Sequence, residues 1–255
     1  LKPEEEAFLR RVLATRRETY AERLRALDFM GLSRVLDAGC GFGQWIPVLS
    51  SLNTSVFGCD INARRVAVAR RWAQACGSVK FTMACASLAS LPFANNVFDA
   101  VFAYSVVYAT PIPDTLAEVF RVLKPGGRFY FTMNGLGWYL HNITEADRCD
   151  PGFDARAMAA GTLGRSFSCW QSGSLCTTTG PVAVPSGLVR AEVAKRGFVD
   201  IAVAAEGKLH PGSSTVAPHS FFEGTYFGQE GVYEVLCRKP EKRRQMTIGN
   251  TIEME

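Results

Sequence analysis

Short apolar runs alternate with amphipathic stretches along most of this chain. Runs of about four to eight residues rich in β-branched and aromatic side chains predict strands, and apolar residues three or four positions apart predict helices. The expected strands are residues 34–37, 55–60, 79–84, 98–103, 128–132, 198–204 and 231–238. Because helical patterns separate most of these strands, we expect an α/β fold with a largely parallel sheet covered on both faces.

Local signals place several helix boundaries. Asn62 is expected to cap a helix over residues 63–75, and Ser186 to cap one that runs to Arg196. Lys124–Gly127 combines a proline with two glycines, which predicts the end of a helix and a turn before the fifth strand.

Two stretches outside the alternating pattern need a separate interpretation. Residues 2–27 carry apolar side chains at helical spacing, which predicts one or two amphipathic helices that either pack on the sheet or form a lid with Tyr20 facing a ligand. Residues 135–184 are rich in Gly, Ser and Thr, with scattered aromatics and no clear strand. A structureless segment of that length is unusual inside a compact domain, so we expect it to hold short helices that cap a site.

Composition narrows the class of protein. The 255 residues are 47% hydrophobic and 20% charged, as in soluble globular proteins, and the net charge of +4 provides no dominating field. There is no basic stripe with interleaved aromatics, so we expect no nucleic acid partner. No apolar run approaches the roughly 18 residues of a membrane span, and the first residues are charged and helical; we therefore expect a cytoplasmic protein with no membrane partner.

The eight cysteines allow two interpretations. Several of them fall in or beside predicted core strands, where a free thiol behaves as a small hydrophobe, so we expect reduced cysteines. Cys149, Cys169 and Cys176 with His141 would be a zinc set, but there is no closely spaced pair, and we expect no metal. The strand-associated cysteines are Cys40, Cys59, Cys85 and Cys237.

The strongest chemical signal lies at the end of the first strand. Gly39, Gly41 and Gly43 stand at alternate positions, which suits a sharp turn that lets a ligand approach the backbone. Asp37 precedes the turn, where its carboxylate can accept hydrogen bonds from an amine or a hydroxyl. Asp60 ends the second strand about 20 residues later, where an acid can bind both ribose hydroxyls. These residues predict a cofactor that contains a nucleoside.

Four motifs in order and in register resemble those of class I S-adenosylmethionine-dependent methyltransferases that modify small molecules. They are Val35–Gly43, Gly58–Ile61, Leu91–Val101 and Arg121–Gly127. The resemblance covers residues 31–134. It implies a Rossmann-like, doubly wound sheet of seven mostly parallel strands, the last one antiparallel, with helices on both faces and a substrate-cap insertion between the fifth and sixth strands. The implied organisation is a helical lid (1–30), a cofactor-binding core (31–134), the substrate cap (135–184), completion of the sheet (185–239) and a tail (240–255).

The resemblance also implies roles for individual residues. S-adenosylmethionine would be bound through its amino acid part by Asp37 and Gly39, beside the turn of Gly41 and Gly43, and would leave as S-adenosylhomocysteine. Asp60 would bind the ribose, and Ile61 would pack on adenine. The other expected contacts are Tyr20 of the lid, Tyr104 near the sulfonium, and Cys85, Ala86 and Ser87 near adenine. The family commonly has an Asp where this chain has Cys85, so Ser87 or a backbone carbonyl is the alternative adenine contact.

The acceptor is expected to be a small molecule, because the motifs of nucleic acid methyltransferases are missing after strand 4. A hydroxyl acceptor benefits from a general base. Tyr108 and His141 are the main candidates for this base. The further candidates are Asp147, Asp150, His210 and His219.

Three functions remain open from the sequence. The main hypothesis is a methyltransferase, monomeric or homodimeric, that modifies a hydroxyl or an amine of a metabolite, sugar or natural product. The alternatives are a nicotinamide-dependent oxidoreductase, against which the glycine spacing speaks, and a non-catalytic cofactor-binding partner protein, suggested by Cys85.

Overall fold

A seven-stranded sheet forms the centre of the molecule. The computed structural model describes residues 3–145, 149–150, 153–173, 175, 180–211 and 218–241. The strands are β1 (Arg34–Ala38), β2 (Ser55–Asp60), β3 (Phe81–Cys85), β4 (Phe98–Ala103), β5 (Leu123–Asn134), β6 (Cys149–Asp150), β7 (Phe153–Asp154), β8 (Val199–Ala205), β9 (Thr225–Tyr226), β10 (Gln229–Glu230) and β11 (Val232–Arg238). The helices are α1 (Pro3–Ala14), α2 (Arg17–Ala26), α3 (Ile46–Leu52), α4 (Ala63–Ala75), α5 (Ile112–Val122), α6 (Leu136–Thr144), α7 (Ala155–Ser172) and α8 (Ser186–Lys195), with a short 3₁₀ turn at Val107–Ala109.

The order of strands in the main sheet is β3-β2-β1-β4-β5-β11-β8. Neighbours from β3 to β5 pair in parallel, and β11 lies antiparallel between β5 and β8. The strand order reverses between β1 and β4. In open α/β sheets, the connections that leave two such strands diverge at their carboxyl ends and open a crevice that holds ligands. The expected mostly parallel sheet with an antiparallel last strand is confirmed.

Helices cover both faces of the sheet, as expected. Successive strand residues point to opposite faces, and the sheet therefore carries two hydrophobic clusters. Leu36 shares one cluster with Leu116 of α5. Val35, its neighbour in β1, shares the other with Leu24 of α2 and Leu49 of α3. The short apolar runs that predict the strands are therefore buried on both faces of the sheet.

Of the two residues that are predicted to cap helices, the structure confirms one and contradicts the other. Asn62 caps α4, because its side chain accepts hydrogen bonds from the backbone N–H groups of Arg64 and Arg65. The prediction that Ser186 caps α8 is wrong: Pro185 occupies the cap position, and Ser186 is the first helical residue. The carboxylate of Glu230 accepts hydrogen bonds from both the backbone N–H and the hydroxyl of Ser186, so it supplies the acceptor expected from a cap.

The Lys124–Gly127 turn belongs to a strand in the structure. Helix α5 ends at Val122 as the motif predicts, but β5 begins at once and includes these residues. The backbone N–H of Gly126 donates to the carbonyl of Lys239 over 2.9 Å, and that of Lys239 donates to the carbonyl of Gly127 over 2.8 Å. Pairing with the chain that follows β11 therefore extends the strand through a segment that is locally a turn.

The segment over residues 135–184 contains α6, the β6–β7 hairpin and α7. The expectation of short helices understates α7, which is 18 residues long and capped by Asp154. Tyr139 of α6 and Ala159 of α7 form a separate small cluster with Ala183. Small residues dominate α7, and this is why its helical periodicity is weak in the sequence.

The cysteines follow the expectation with one exception. Cys40, Cys59 and Cys237 are buried free thiols, and Cys85 is an exposed free thiol. Cys169 is disulfide-bonded, so the expectation of reduced cysteines is wrong there. It lies in α7, whereas that expectation rested on cysteines in or beside the core strands. Cys176 and most of the predicted tail fall outside the described residues. Within those residues, no helix is both long and apolar enough to cross a membrane.

Candidate active site

A cavity of about 530 Å³ opens at the carboxyl ends of β1, β2 and β4. Gly39 and Gly41 line it after β1, Asp60 at the end of β2, and Tyr104 after β4. Helices α1 and α2 cover it with side chains that include Tyr20, and the segment 221–222 closes another side. The structure therefore brings the predicted lid, the glycine turn and the ribose-binding acid around one space.

The glycine turn needs residues without a side chain. The φ angles of Gly39 and Gly43 are +77° and +79°, in the left-handed region that glycine adopts most readily. A Cβ atom on Gly39 would lie 2.5 Å from Cγ2 of Val106, and one on Gly43 would lie 2.8 Å from Cβ of Ala69. The backbone at the cavity edge is therefore closely fitted to α4 and to the segment after β4.

Asp60 fixes the turn while it faces the cavity. Its Oδ2 accepts a hydrogen bond from the backbone N–H of Gly41 over 3.0 Å, and its Oδ1 accepts one from that of Asn62 over 2.9 Å. Each carboxylate oxygen has a second lone pair, so both can still accept from the hydroxyls of a ligand. Asp60 thus meets the geometric requirement for binding a ribose.

Asp37 is a fully buried carboxyl beneath the turn. Its Oδ2 has no hydrogen-bond partner. Burial, and secondly the nearby charge of Asp60, raises the pKa of Asp37 from 3.8 to about 8. Such a group is costly unless a ligand satisfies it, and a cationic amino group would do so. The orphaned oxygen therefore fits the amino acid part of S-adenosylmethionine.

The remaining predicted adenine contacts lie beside Asp60, outside the residues that line the cavity. Ile61 is 72% exposed, and the Cys85 thiol donates to its carbonyl over 3.4 Å. The backbone N–H of Ala86 donates to the carbonyl of Asp60 over 3.0 Å, and the hydroxyl of Ser87 accepts from the N–H of Ala89 over 3.2 Å. These residues form an open apolar edge at the ends of β2 and β3, and no acidic side chain stands there at position 85.

Aromatic rings surround the middle of the cavity. Tyr20 lies 4.6 Å from Trp45 and 5.8 Å from Phe221, measured between ring centroids, and Trp45 lies 5.1 Å from Tyr104. The hydroxyl of Tyr20 donates to the carbonyl of Val12 over 3.3 Å, which joins α2 to α1. Aromatic faces attract cations and exclude water, so this part of the cavity suits a sulfonium.

A buried charge cluster behind these rings was not predicted from the sequence. Arg23 of α2 is fully buried, and its guanidinium lies 2.5 Å from the Glu206 carboxylate and 3.2 Å from the Glu234 carboxylate. The hydroxyl of Tyr104 donates to Glu206, and that of Tyr130 donates to Glu234, each over 2.7 Å. Burial raises the pKa of Tyr104, Tyr130 and Glu234.

The charge cluster connects the lid to the cavity wall. The guanidinium carbon of Arg23 lies 5.5 Å from the ring centroid of Tyr104 and 5.2 Å from that of Phe221. Glu206 also accepts hydrogen bonds from the backbone N–H of Phe221 and the hydroxyl of Ser220, each over 2.8 Å. Helix α2, the end of β4 and residues 220–221 are therefore held by one set of charges.

Tyr108 lines the cavity and contacts Ser105. Their hydroxyl oxygens are 3.1 Å apart. Ser105 has a φ of +59°, an uncommon angle for a residue other than glycine, and its backbone N–H donates to the Thr132 hydroxyl over 2.7 Å. Burial raises the pKa of Tyr108 above 10, so its hydroxyl stays protonated at neutral pH. It can orient an acceptor by hydrogen bonding, but a protonated phenol is a poor base.

His141 is not brought to the cavity. Its Nδ1 lies 3.0 Å from the Glu145 carboxylate, and its ring stacks on Tyr226 with centroids 4.4 Å apart. The ring of His219 lies against Phe221, while its backbone carbonyl accepts a hydrogen bond from Arg23. His210 does not line the cavity either. Asp147 and the side chain of Asp150 lie outside the described residues.

The chain matches known proteins over its central part. Residues 36–131 match the family described as methyltransferase domain. Methyltransferase phqN of Penicillium fellutanum is 33% identical over 99 residues, which are 38% of this chain and 30% of that protein. Demethylmenaquinone methyltransferase of Symbiobacterium thermophilum is 36% identical over 101 residues, 37% of this chain and 40% of that protein. These matches span less than half of either relative.

A solved structure extends the likeness of the fold. Phosphoethanolamine N-methyltransferase 2 of Haemonchus contortus, solved in complex with S-adenosyl-L-methionine, aligns with a TM-score of 0.58 over 88% of this chain and 52% of that one. The two sequences are 18% identical, so this likeness concerns the fold alone. The four motifs and the glycine turn lie within or beside residues 36–131, so the stretch of this chain that is similar to methyltransferase domains is the one that forms the floor of the cavity.

Proposed function

We propose that this protein transfers the methyl group of S-adenosylmethionine to a hydroxyl group of a small molecule. The observation that carries the proposal is the buried, partnerless Oδ2 of Asp37 beneath a glycine turn, close to Asp60, which lines the covered cavity. An amino group and a ribose, separated by a short linker, satisfy the two acids at once. S-adenosylmethionine has both.

The residues around the cavity then have separate tasks. Asp37 binds the amino group, Asp60 binds the ribose hydroxyls, and Ile61 with the Cys85–Ser87 segment offers an edge for adenine. When bound, the cofactor supplies a methyl carbon activated by a positively charged sulfur. The protein must hold the acceptor oxygen close to that carbon and in line with the bond that breaks, away from water.

Helices α1 and α2 provide the exclusion of water. Arg65 of α4 pairs with Glu5 of α1 over 3.2 Å, and Phe8 of α1 lies 5.9 Å from the Phe42 ring in the glycine turn. These contacts support the lid role of residues 1–30 over the alternative of simple packing on the sheet. Tyr20 and Tyr104 present rings beside the expected place of the sulfonium.

A hydroxyl is favoured over an amine, because Ser105 and Tyr108 place two hydroxyl groups at the cavity wall. The matched relatives do not decide the acceptor: one is named for a quinone and another for an amine. A sugar or another natural product remains within the proposed class. Tyr108 acts as an orienting residue, and no role in proton removal is proposed for His141.

Isothermal titration with S-adenosylmethionine tests the proposal. Wild-type protein is expected to bind, and Asp60→Ala to bind about 30-fold or more weakly, because it loses charge-assisted hydrogen bonds to the ribose and the clamp on Gly41. Asp114→Ala removes an exposed acid from the first turn of α5 and serves as the control with unchanged affinity. Absence of binding to the wild type would refute the proposal.

A further inference from the structure

The residues that line the cavity fall into chemically different groups. All charged residues that line it among the described residues come from α1, β2 and α4: Glu5, Arg11, Asp60 and Arg65. A second group, which we call the acceptor wall, consists of Ser105, Tyr108, Phe221 and Phe222. The acceptor wall carries no charge. A charged acceptor would lose its hydration there without gaining a partner, so the wall favours an uncharged molecule.

The rings of the acceptor wall favour a flat molecule. Phe221 lies nearly parallel to Tyr20, with an interplanar angle of 28° and centroids 5.8 Å apart, and Phe222 is held edge-on by Trp138 at 5.1 Å. Both rings line the cavity, and the aromatic surface that they present packs well against a planar ring, either offset or edge to face. A sugar needs hydrogen-bond partners for several hydroxyls, whereas this wall offers only the hydroxyls of Ser105 and Tyr108.

Arg23 lies behind one ring of the acceptor wall. Its guanidinium is 5.2 Å from the ring centroid of Phe221 and is paired with the carboxylates of Glu206 and Glu234. Because these charges satisfy one another behind the ring, the wall presents no unpaired charge of its own to the acceptor.

The chemistry of proton removal further narrows the class of hydroxyl compound that the site suits. Among the described residues of the acceptor wall there is no carboxylate and no imidazole, and the Tyr108 hydroxyl is protonated. An acceptor hydroxyl that ionises readily by itself depends least on a base from this wall. A phenol ionises near pH 10, about six pH units below the value of about 15.7 for water. An aromatic hydroxyl therefore suits the acceptor wall better than an alcohol or a sugar does.

We propose that the acceptor is an uncharged, planar aromatic compound that is methylated on a phenolic hydroxyl seated between Ser105 and Tyr108, with its ring against Phe221 and Phe222. This inference rests on the proposed methyltransferase function and deepens it. The phenolic oxygen loses its proton to water and forms a bond to the methyl carbon. The bond between that carbon and sulfur breaks and leaves its electron pair on sulfur. The products are an aryl methyl ether, neutral S-adenosylhomocysteine and one proton.

A matched set of acceptors tests this class. After titration has shown that the protein binds S-adenosylmethionine, formation of S-adenosylhomocysteine is measured with naphthol, with the saturated alcohol decahydronaphthol and with methyl glucoside. We expect methylation of naphthol at least about 100-fold faster than of either alcohol, because naphthol ionises several pH units below an alcohol. Binding of the cofactor without methylation of naphthol, or equal rates for decahydronaphthol, would overturn the inference and leave the proposed function standing. Failure to bind the cofactor would refute both.

Variants of the acceptor wall locate the site. Tyr108→Phe is expected to raise the KM for naphthol about tenfold, because one hydrogen bond to the acceptor is lost, with the cofactor affinity unchanged. Phe222→Leu is expected to raise the same KM several-fold through lost stacking. Phe227→Leu removes an exposed ring that does not line the cavity and is the control with unchanged KM.

The pH profile separates orientation from base catalysis. With naphthol, kcat/KM is expected to rise about tenfold per pH unit up to the ionisation of naphthol itself, in wild type and in Tyr108→Phe alike. Loss of this pH dependence in Tyr108→Phe, or an unchanged KM in both wall variants, would overturn the assignment of the wall.

Discussion

At the scale of single residues, the Asp37 carboxyl that is expected to bind the cofactor also destabilises the folded protein as the pH rises. The carboxyl is buried, one of its oxygens lacks a partner, and its pKa is raised to about 8. In the unfolded chain the same group ionises near pH 3.8. Between these values the folded state holds a proton that the unfolded state has lost, so the free energy of unfolding decreases as pH rises through this window.

We expect Asp37→Asn to reduce this pH dependence. In the wild type without ligand, the rise from pH 6 to pH 9 is expected to lower the free energy of unfolding by about 2.7 kcal/mol, which is the value of the two pH units below the raised pKa of about 8. Above that pKa the dependence levels off. The amide does not ionise, so the variant should lose less stability over this range. Denaturant unfolding at the two pH values measures the difference.

Asp114→Asn is the matched control, because it removes an exposed acid outside the cavity. If Asp37→Asn and the wild type lost the same stability between the two pH values, the raised pKa would be contradicted. Asp37→Asn should also weaken binding of S-adenosylmethionine, because it replaces the proposed acidic partner of the amino group with a neutral amide. Gain in stability and loss of affinity in one variant would mark Asp37 as a residue kept for its ligand.

At the scale of elements, helix α2 is attached to the sheet by charge as well as by apolar packing. Leu24 and Leu27 are fully buried in the cluster on one face of the sheet. Arg23 adds ion pairs to Glu206 and Glu234, both of which are fully buried. Removal of one partner from a buried pair leaves uncompensated charge in the interior, which costs far more than the loss of an exposed pair.

Arg23→Leu and Arg25→Leu make a matched comparison within this helix. Arg23→Leu is expected to lower the free energy of unfolding by about 3–5 kcal/mol, because two buried carboxylates lose their cation. Arg25 is 44% exposed and pairs with Glu18, so Arg25→Leu should cost no more than about 1 kcal/mol. Equal effects in urea unfolding would contradict the role of the buried cluster.

The elements that could be predicted from the sequence are those whose signals are local. Strands β2 and β4 and helix α4 fall at the expected residues, because the apolar runs of the strands and the Asn62 cap of the helix are local signals. The sequence understates helix α7, because small residues give it little periodicity. Residues 124–127 resemble a turn in the sequence, because their strand pairing depends on a partner more than a hundred residues away.

The candidate site likewise contains some residues that the sequence predicts and others that only the folded structure reveals. The glycine turn and the two acids follow strands, so their meeting at one sheet edge could be expected from the order of strands. The ion pair between Arg23 and Glu234 joins residues 211 positions apart, so no local sequence pattern indicates it. Phe221 and Phe222 reach the cavity only because Glu206 holds the segment before β9, and this contact too is visible only in the folded chain.

At the scale of the whole molecule, cofactor binding should be coupled to global stability. The proposed cofactor contacts join β1, β2, α4 and the lid, so a ligand there favours the folded state by mass action. At a concentration about 100 times its Kd, S-adenosylmethionine is expected to add about 2.7 kcal/mol and to raise Tm by about 5–10 °C.

Thermal unfolding followed by circular dichroism measures this shift. Asp60→Ala should lose it at the same concentration, whereas Asp114→Ala should retain it. A shift of equal size in both variants would mean that the ligand binds away from the glycine turn.

The division of the cavity between two parts of the chain has an evolutionary consequence. The acids and glycines assigned to the cofactor lie within residues 36–131, the stretch that matches methyltransferase domains, and Ser105 and Tyr108 of the acceptor wall lie there too. The two rings of that wall, Phe221 and Phe222, lie outside it. Exchange of the few residues around 221 would therefore change the proposed acceptor in small steps while the proposed cofactor site is inherited intact.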